Sequence, residues 1–357
     1  MKIAKLPAAG CGDSRRLSFL IPIQLAIAIA ALGLFGTAKA DPIGDLRSLS
    51  VFKDADLNKL ASGDVLATRG PAMSFARGLS VQSAYVVRAP VKATLGYQRQ
   101  WNPVRHPELK VYAQSDFSGR GSPSELQGLA SAPSTSSVRA FADATLKLPE
   151  SASKLQLSNA EARSFSGGGS GGGTMPSSVV AFWSKVLAGR AQTFASSGLS
   201  GLVYETTGPT IRVDQEVAEL IRGSGNVRSN FAPLIDSTPI GGRGGRPESQ
   251  SWQLFDTDGI AAVSLTASYS RAAGSGWQEA DLQYYASGGI YAVLTFYQLW
   301  PVTVGGQDAT LVWRVDMVSA SELGELRGVE RLGSGAAMMR EIQKSVKAFL
   351  RDYSGGR

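Results

Sequence analysis

Three residues of this chain are the candidates for acid–base chemistry, namely His106, Arg314 and Asp316. His106 is the only histidine, and a neutral imidazole can act as a general base near physiological pH. It lies in a loop between two prolines, where Trp101 and Arg105 could help to form a pocket. A structural role at the surface is the more frequent role of such a histidine, so both interpretations stay open.

Arg314 and Asp316 lie two residues apart on a predicted strand, so both point to the same face of the sheet. If that face lines a cavity, the two residues form a buried functional pair. If it faces solvent, they belong to cross-strand ion pairs, which is the more common arrangement. With His106, they are the candidates for acid–base groups of an enzyme.

A second set of residues combines aromatic and long apolar side chains near the end of the chain. Tyrosine and tryptophan offer a large apolar surface with one hydrogen-bonding tip, which suits a cavity for an amphipathic ligand. The candidate ligand-binding residues are Tyr291, Tyr297, Trp300, Trp313, Met338 and Ile342. Successive strand residues face opposite sides of a sheet, so only part of this set can line one cavity. Ordinary sheet core uses the same residue types and is the more common interpretation.

The sequence predicts neither a metal site nor a cofactor. Its single cysteine, Cys11, and single histidine cannot supply the Cys/His clusters of common metal sites. We also find no phosphate-binding loop and no plausible serine triad.

The first forty residues resemble a bacterial export signal. Four basic residues lie near the start: Lys2, Lys5, Arg15 and Arg16. Residues 17–35 are apolar, and Thr37-Ala38-Lys39-Ala40 has the small residues that a signal peptidase needs. We predict a signal peptide over residues 1–40, cleaved after Ala40, and an exported protein that is periplasmic or secreted. A retained membrane anchor is the alternative, and the general and twin-arginine export routes both stay open.

Removal of this segment changes the charge of the chain. The whole chain has 36 Lys and Arg against 29 Asp and Glu, a net charge of +7. Five of the basic residues and one acid lie in residues 1–40, so the remainder has a net charge of +3. Later segments have no clustered basic stripe, which argues against a nucleic-acid partner. We predict no membrane span after cleavage, and the oligomeric state stays open.

The remaining chain divides into three segments. Residues 41–118 form an N-terminal α/β portion, residues 119–249 a helical and Gly/Ser-rich insertion with a flexible linker at 167–173, and residues 250–357 antiparallel strands and a C-terminal helix. Predicted strands are 64–68, 79–89, 202–204, 252–255, 261–270, 279–287, 290–300 and 310–318. Predicted helices include 91–100, 176–196, 213–222 and, after a capping-box spacing at Ser319–Glu322, about 335–353. Gly241–Gly245, with Arg243 and Arg246, predicts a loose loop.

This order of elements predicts an α+β fold in which an antiparallel sheet curls around a long amphipathic C-terminal helix. Val86-Val87-Arg88-Ala89-Pro90 enters a helix, and Leu311-Val312-Trp313-Arg314-Val315-Asp316 leads toward the last one. In these two segments the chain resembles helix-grip proteins of the START and polyketide-cyclase type. It departs from them by about 130 intervening residues. The segment Gln283–Tyr291 resembles exported bacterial proteins of unknown function.

Three hypotheses about function follow from these observations. The first is a binding module that holds a lipid or another apolar small molecule between the sheet and the last helix. The second is a hydrolase-type enzyme that uses the same cavity. The third is an envelope scaffold that uses apolar surface for protein contacts.

Overall fold

An eight-stranded antiparallel sheet forms the centre of the structure, a computed structural model that describes residues 41–167 and 175–354. The predicted signal peptide and nearly all of the predicted glycine linker lie outside the described residues. From residue 41 onward the chain forms one compact unit.

The described residues contain ten helices and ten strands, apart from short 3-10 turns. The helices are α1 (Pro42–Leu49), α2 (Leu57–Ala61), α3 (Val91–Gln100), α4 (Ser136–Leu146), α5 (Asn159–Ser164), α6 (Ser177–Ser197), α7 (Val213–Arg222), α8 (Gly225–Asn230), α9 (Ala232–Asp236) and α10 (Gly328–Ser354). The strands are β1 (Leu66–Arg69), β2 (Gly78–Val87), β3 (Val111–Phe117), β4 (Val203–Tyr204), β5 (Ile211–Arg212), β6 (Ser249–Thr257), β7 (Ile260–Ala273), β8 (Gly276–Ala286), β9 (Ile290–Val304) and β10 (Gln307–Ala320).

The strand order in the large sheet is β1-β2-β10-β9-β8-β7-β6-β3. Strands β6 to β10 follow one another as hairpins because short turns separate runs rich in β-branched and aromatic residues. The turn between β9 and β10 contains Gly305 and Gly306, both with positive φ, a conformation that other residues adopt only with strain. β2 returns from the N-terminal part of the chain and pairs with β10, which places Arg314 opposite Ser83.

The sheet curls around α10. Gln343 donates to the carbonyl oxygen of Val65, the residue before β1, over 3.5 Å, and Lys344 donates to that of Glu108, just before β3, over 3.3 Å. β1 and β3 are the two edge strands. A flat sheet of eight strands is ~34 Å wide, whereas a helix with its side chains is ~10 Å across. Two neighbouring helix residues can therefore reach both edges only if the sheet bends around the helix.

Two layers of helices cover the two faces of this sheet. We call the face that packs against α3 and α10 the α10 face; its core includes Tyr85, Val312 and Ile342. The opposite face, here the insertion face, packs against helices of the segment between β3 and β6, including α4, α6 and α7. On this face Phe194 of α6 stacks on Tyr284 of β8 with 3.9 Å between ring centroids.

The structure confirms the predicted fold class: an antiparallel sheet, a long C-terminal helix and a largely helical insertion. Two details of the prediction are wrong. The predicted strands do not include β3, although it completes the sheet, and Ser319 does not cap the last helix. Ser319 is buried at the end of β10, where its hydroxyl donates to Glu216, and α10 begins at Gly328.

None of the helices within the described ranges is both long enough and apolar enough to cross a membrane.

Candidate functional site

The centre of the α10 face is polar. Register pairing places Arg314 of β10 opposite Tyr297 of β9, which lies opposite Glu279 of β8. In the next row, Asp316 lies opposite Thr295, which lies opposite Asp281. Side chains two residues apart share a face, so both rows of polar side chains point toward the layer that contains α3 and α10.

Arg314 and Asp316 form a bidentate ion pair at this centre. The guanidinium Nε and Nη2 donate to the two carboxylate oxygens of Asp316 over 2.7 and 2.6 Å, and the Thr295 hydroxyl donates to the same carboxylate over 2.9 Å. The guanidinium also lies 5.5 Å from the centre of the Tyr297 ring, close enough for a cation–π contact. Burial acts to lower the pKa of Arg314, but the Asp316 carboxylate outweighs it and the pKa is raised, so Arg314 stays charged.

The exposure of this pair decides between the two interpretations made from sequence. The side chains of Arg314 and Asp316 are 20% and 5% exposed, so the pair is not on a solvent face. The more common arrangement, a cross-strand ion pair on the wet face, is therefore wrong here. The pair forms within one strand and is mostly buried, yet solvent still reaches Arg314 in the middle of an eight-stranded sheet.

Glu279 and Asp281 add two carboxyl groups to the same face. Burial, helped by the negative charge of Asp281 and opposed by Arg99, raises the pKa of Glu279 to about 8. Burial likewise raises the pKa of Asp281, whose carboxylate accepts a hydrogen bond of 2.6 Å from Ser268. Arg99 Nη2 donates to Glu279 over 3.4 Å but does not outweigh burial, so Glu279 is largely protonated around neutral pH. Neither residue is among the candidates from sequence, although they alternate with buried residues of β8 in the register of Arg314 and Asp316.

Polar atoms without partners surround this cluster. Each of the following side-chain atoms is buried and has no hydrogen-bond partner among the described residues: Ser83 Oγ, Gln98 Oε1, Trp277 Nε1 and Gln283 Nε2. Ser83 lies opposite Arg314 on β2, and Gln283 follows Asp281 on the same face of β8. Gln98 of α3 donates to the Tyr85 hydroxyl through its Nε2, which leaves its oxygen unused. Buried polar atoms normally find a partner, and a water or a bound molecule on this face would supply one to these four.

Apolar side chains form the rest of this face. Leu299 and Val312 from the sheet and Ile342 from α10 are buried in one cluster, and Tyr297 and Met338 pack against it while partly exposed. The sheet and the helix thus offer an apolar wall beside a polar centre.

The six predicted ligand-binding residues are divided between the two faces. Tyr297, Met338 and Ile342 lie on the α10 face. Tyr291, Trp300 and Trp313 belong to the core of the insertion face, where Tyr291 contacts the Tyr204 ring and Trp313 the Phe231 ring. The structure therefore brings together half of the predicted set, and ligand binding by these three residues stays a prediction.

His106 lies at the C-terminal end of α10. Its Nε2 is 2.9 Å from an oxygen of Asp352, which also accepts a hydrogen bond of 2.9 Å from Trp101. Its Nδ1 is 3.6 Å from a carboxylate oxygen of Glu108. None of these partners is Arg314 or Asp316, so the three predicted acid–base residues do not form one hydrogen-bonded group.

Within the described ranges, no group of three or more His, Cys, Asp or Glu side chains is arranged to hold a metal ion.

Comparison with known proteins yields matches among solved structures. Neither the protein-family models nor the curated proteins give a match. A START superfamily protein from Mycobacterium smegmatis is similar over 29% of this chain and 65% of its own, just under two thirds of its length, with 15% identity and a TM-score of 0.23. Ara h 8.0201 is similar over 38% of this chain and 90% of its own, with 13% identity and a TM-score of 0.19. These similarities agree with the predicted resemblance to helix-grip proteins, but TM-scores this low say nothing about what the chain binds.

Proposed function

We propose that this protein is exported from a bacterial cytoplasm and binds an amphipathic small molecule, such as a lipid, between α10 and the sheet. The observation that carries the proposal is the group of four buried polar atoms without partners around Arg314 and Asp316. A ligand with hydroxyl, amide or carbonyl groups would supply their missing hydrogen bonds. Its apolar part would lie against Leu299, Val312 and Ile342.

The charge of the polar centre narrows the choice of ligand. Arg314 is already neutralised by Asp316, and Glu279 is largely uncharged around neutral pH. A strongly charged headgroup would gain little here and would lose its hydration. We therefore expect a ligand whose polar end is neutral or carries a single charge.

A fluorescent probe can test the binding site directly. We would titrate a dansylated fatty acid into the purified chain from Asp41 onward and follow the increase in dansyl emission. Met338→Trp places a large ring beside the proposed site and should abolish most of the increase. Leu332→Trp is the matched control, because Leu332 lies on the same helix but is 58% exposed. Equal binding by both variants, with unchanged melting temperatures, would exclude the site under α10.

Native mass spectrometry addresses the ligand itself. The protein, purified from its own cells without detergent, should carry a small molecule of defined mass that Met338→Trp lacks. A ligand-free protein that forms oligomers would instead support the envelope scaffold.

Export is supported by the basic start, the apolar run and the Ala-x-Ala site of residues 1–40. The chain recovered from a periplasmic or culture fraction should begin at Asp41. A full-length chain that stays with the membrane fraction would support the retained anchor instead.

A hydrolase on the same face is the second candidate, and Glu279 is the observation in its favour. A carboxyl group with a pKa of about 8 can deliver a proton at neutral pH, as a general acid must. In a screen of ester and amide substrates, Glu279→Gln should then abolish turnover. His106→Ala should leave it unchanged, since His106 makes its contacts at the end of α10.

A further inference from the structure

A large cleft, separate from the site under α10, lies along the helical insertion. Its volume is about 1940 Å³. Its walls come from the end of α6, from α7 and α8, from the residues that follow β3, and from the loop 239–250 that enters β6. Pockets for drug-sized ligands usually measure about 300–1,000 Å³, so this cleft has room for a longer molecule.

Five arginines line the cleft: Arg120, Arg222, Arg228, Arg243 and Arg246. The acidic residues in its lining are Asp214 and Glu248. Both are engaged elsewhere, Asp214 with Arg212 over 2.8 Å and Glu248 with Arg99 over 2.5 Å. The cleft therefore has an excess of positive charge although the chain from residue 41 onward is nearly neutral.

Three of these arginines have no anionic partner among the described residues. Arg222 pairs with Glu219, and Arg228 pairs with Asp236 over 2.8 Å. Arg120, Arg243 and Arg246 are exposed and make no ion pair or side-chain hydrogen bond with the residues described. Arg228 also retains one buried nitrogen, Nη1, without a partner in the described ranges. Four guanidinium groups of the cleft thus have donors to offer to an anion.

The loop that carries Arg243 and Arg246 is held in place, contrary to the loose loop predicted from its glycines. The carbonyl oxygen of Thr238 accepts hydrogen bonds from the backbone of Gly241 and Arg243, over 3.1 and 3.2 Å. At Gly245 a Cβ atom would collide with the Ser237 carbonyl oxygen, so the loop approaches the end of α9 as closely as only glycine allows. The two arginines therefore project from an anchored backbone, which reduces the entropy lost when they bind a ligand.

The floor of the cleft is apolar. Phe194, Leu199, Ile221 and Ile240 contribute to it, and Ala218 of α7 is exposed at its side. An apolar floor below unpaired guanidinium groups fits a ligand with an anionic end and an apolar body. Guanidinium groups match the oxygens of phosphate in a bidentate manner, and three uncompensated charges match a diphosphate ester.

We infer that this cleft binds an organic diphosphate, with the diphosphate on Arg120, Arg243 and Arg246 and the apolar chain along the floor. This inference goes beyond the proposed function, because it concerns another cavity and another ligand charge. It does not depend on binding under α10.

Calorimetric titration with three probes tests the inference. Farnesyl diphosphate combines both ligand features, inorganic pyrophosphate has the anion alone, and farnesol has the chain alone. We expect farnesyl diphosphate to bind at least about tenfold more tightly than either of the others. Arg243→Ala and Arg246→Ala should each weaken binding about tenfold, since each removes a charge-assisted contact. Ala218→Trp should also weaken it by narrowing the cleft.

Arg163→Ala is the matched control, because Arg163 is likewise exposed but does not line the cleft. It should bind farnesyl diphosphate like the unchanged chain. Pyrophosphate binding as tight as farnesyl diphosphate binding would reduce the site to an adventitious anion site and overturn the inference. So would affinity that is unchanged in Arg243→Ala and Arg246→Ala.

The dansylated fatty acid distinguishes the site under α10 from the cleft. Its binding should be unaffected by Arg243→Ala and lost in Met338→Trp, whereas farnesyl diphosphate should respond in the opposite way. Loss of both probes in Met338→Trp alone would place both ligands under α10 and overturn the cleft.

Discussion

The two faces of the large sheet differ in polarity, because alternate residues of the same strands point to opposite faces. On β10, Trp313, Val315 and Met317 point into the insertion face and are fully buried, whereas Arg314 and Asp316 point to the α10 face. The first set packs closely against apolar side chains of the insertion face and has almost no exposed area. The second keeps charge and unused hydrogen-bonding atoms beneath a helix.

The difference indicates which face is optimised for stability and which is available for a ligand. A protein interior gains most from close packing of apolar groups, as on the insertion face. Buried charges and unpartnered polar atoms cost free energy, and on the α10 face both lie together around the partly exposed Arg314. The insertion face also holds unpartnered buried atoms, Trp252 Nε1 and Tyr269 OH among them, but these lie within its apolar core. Such a cost is typical of functional sites, so substitutions on the two faces should have different consequences.

Truncation of Trp313 should give the largest loss of stability. Its side chain is fully buried against Phe231, and its indole nitrogen donates to Gln82 over 3.2 Å. We expect Trp313→Ala to lower the free energy of unfolding by about 3–5 kcal/mol, measured by urea denaturation. Tyr297→Ala, on the partly exposed α10 face, should cost only about 1–2 kcal/mol but weaken binding of the dansyl probe. Equal losses from both variants would contradict the contrast between the faces.

Breaking the Arg314–Asp316 pair should come next. Asp316→Ala leaves a mostly buried guanidinium without its carboxylate and should lower the free energy of unfolding by about 3 kcal/mol. Replacing both residues, as in Arg314→Met with Asp316→Leu, should recover most of that stability because no buried charge remains. Urea unfolding of the single and double variants measures the difference. A double variant no more stable than Asp316→Ala would mean that the pair stabilises the fold by itself.

Glu279 should make stability depend on pH. Its pKa is about 8 in the folded chain against an ordinary value of 4.5, so between these values the folded state binds more protons than the unfolded state. The free energy of unfolding that Glu279 contributes is therefore fully present below about pH 4.5. It falls as the pH rises and is lost above about pH 8. We expect a loss on the order of 1–3 kcal/mol over this window, to which Asp281 contributes in the same direction.

Glu279→Gln should flatten this profile, since glutamine keeps the shape and cannot ionise. Thermal unfolding at a series of pH values gives the comparison, with exposed Glu330→Gln on α10 as the control. A profile that Glu279→Gln leaves unchanged would assign the dependence to other groups.

Strong local patterns in the sequence predict most of the fold. The apolar and β-branched runs between glycine turns indicate β7 to β10, and Pro90 before a run of helix-compatible residues indicates α3. β3 escapes such patterns because its residues, Val111 to Phe117, alternate weakly and lie at an edge where four of the seven side chains are half-buried. Ser319 is misleading because capping-box spacing is local, whereas its actual partner, Glu216, lies about a hundred residues away.

The site could be predicted only in part for a related reason. Strand alternation places Arg314 and Asp316 on one face, but it does not say which face another element covers. Tyr297 and Trp313 therefore enter one predicted set although the sheet separates them. The unpartnered atoms of Ser83 and Gln98 lie beside Arg314 of β10 and Tyr85 of β2, and no spacing in the sequence records these tertiary neighbours.

His106 is a catalytic candidate from sequence, yet among these variants its substitution should have the smallest effect. It holds the last turn of α10 through Asp352, whose side chain is 32% exposed, so solvent weakens the pair. We expect His106→Ala to cost about 0.5–1 kcal/mol and to speed amide exchange in the last turns of α10. The Trp101–Asp352 hydrogen bond remains and limits the effect. The dansylated fatty acid and farnesyl diphosphate should both bind His106→Ala as tightly as they bind the unchanged chain. Loss of binding of the dansylated fatty acid in His106→Ala, with α10 still protected from exchange, would contradict this expectation. The ligand site on the α10 face would then extend as far as His106, at the C-terminal end of the helix.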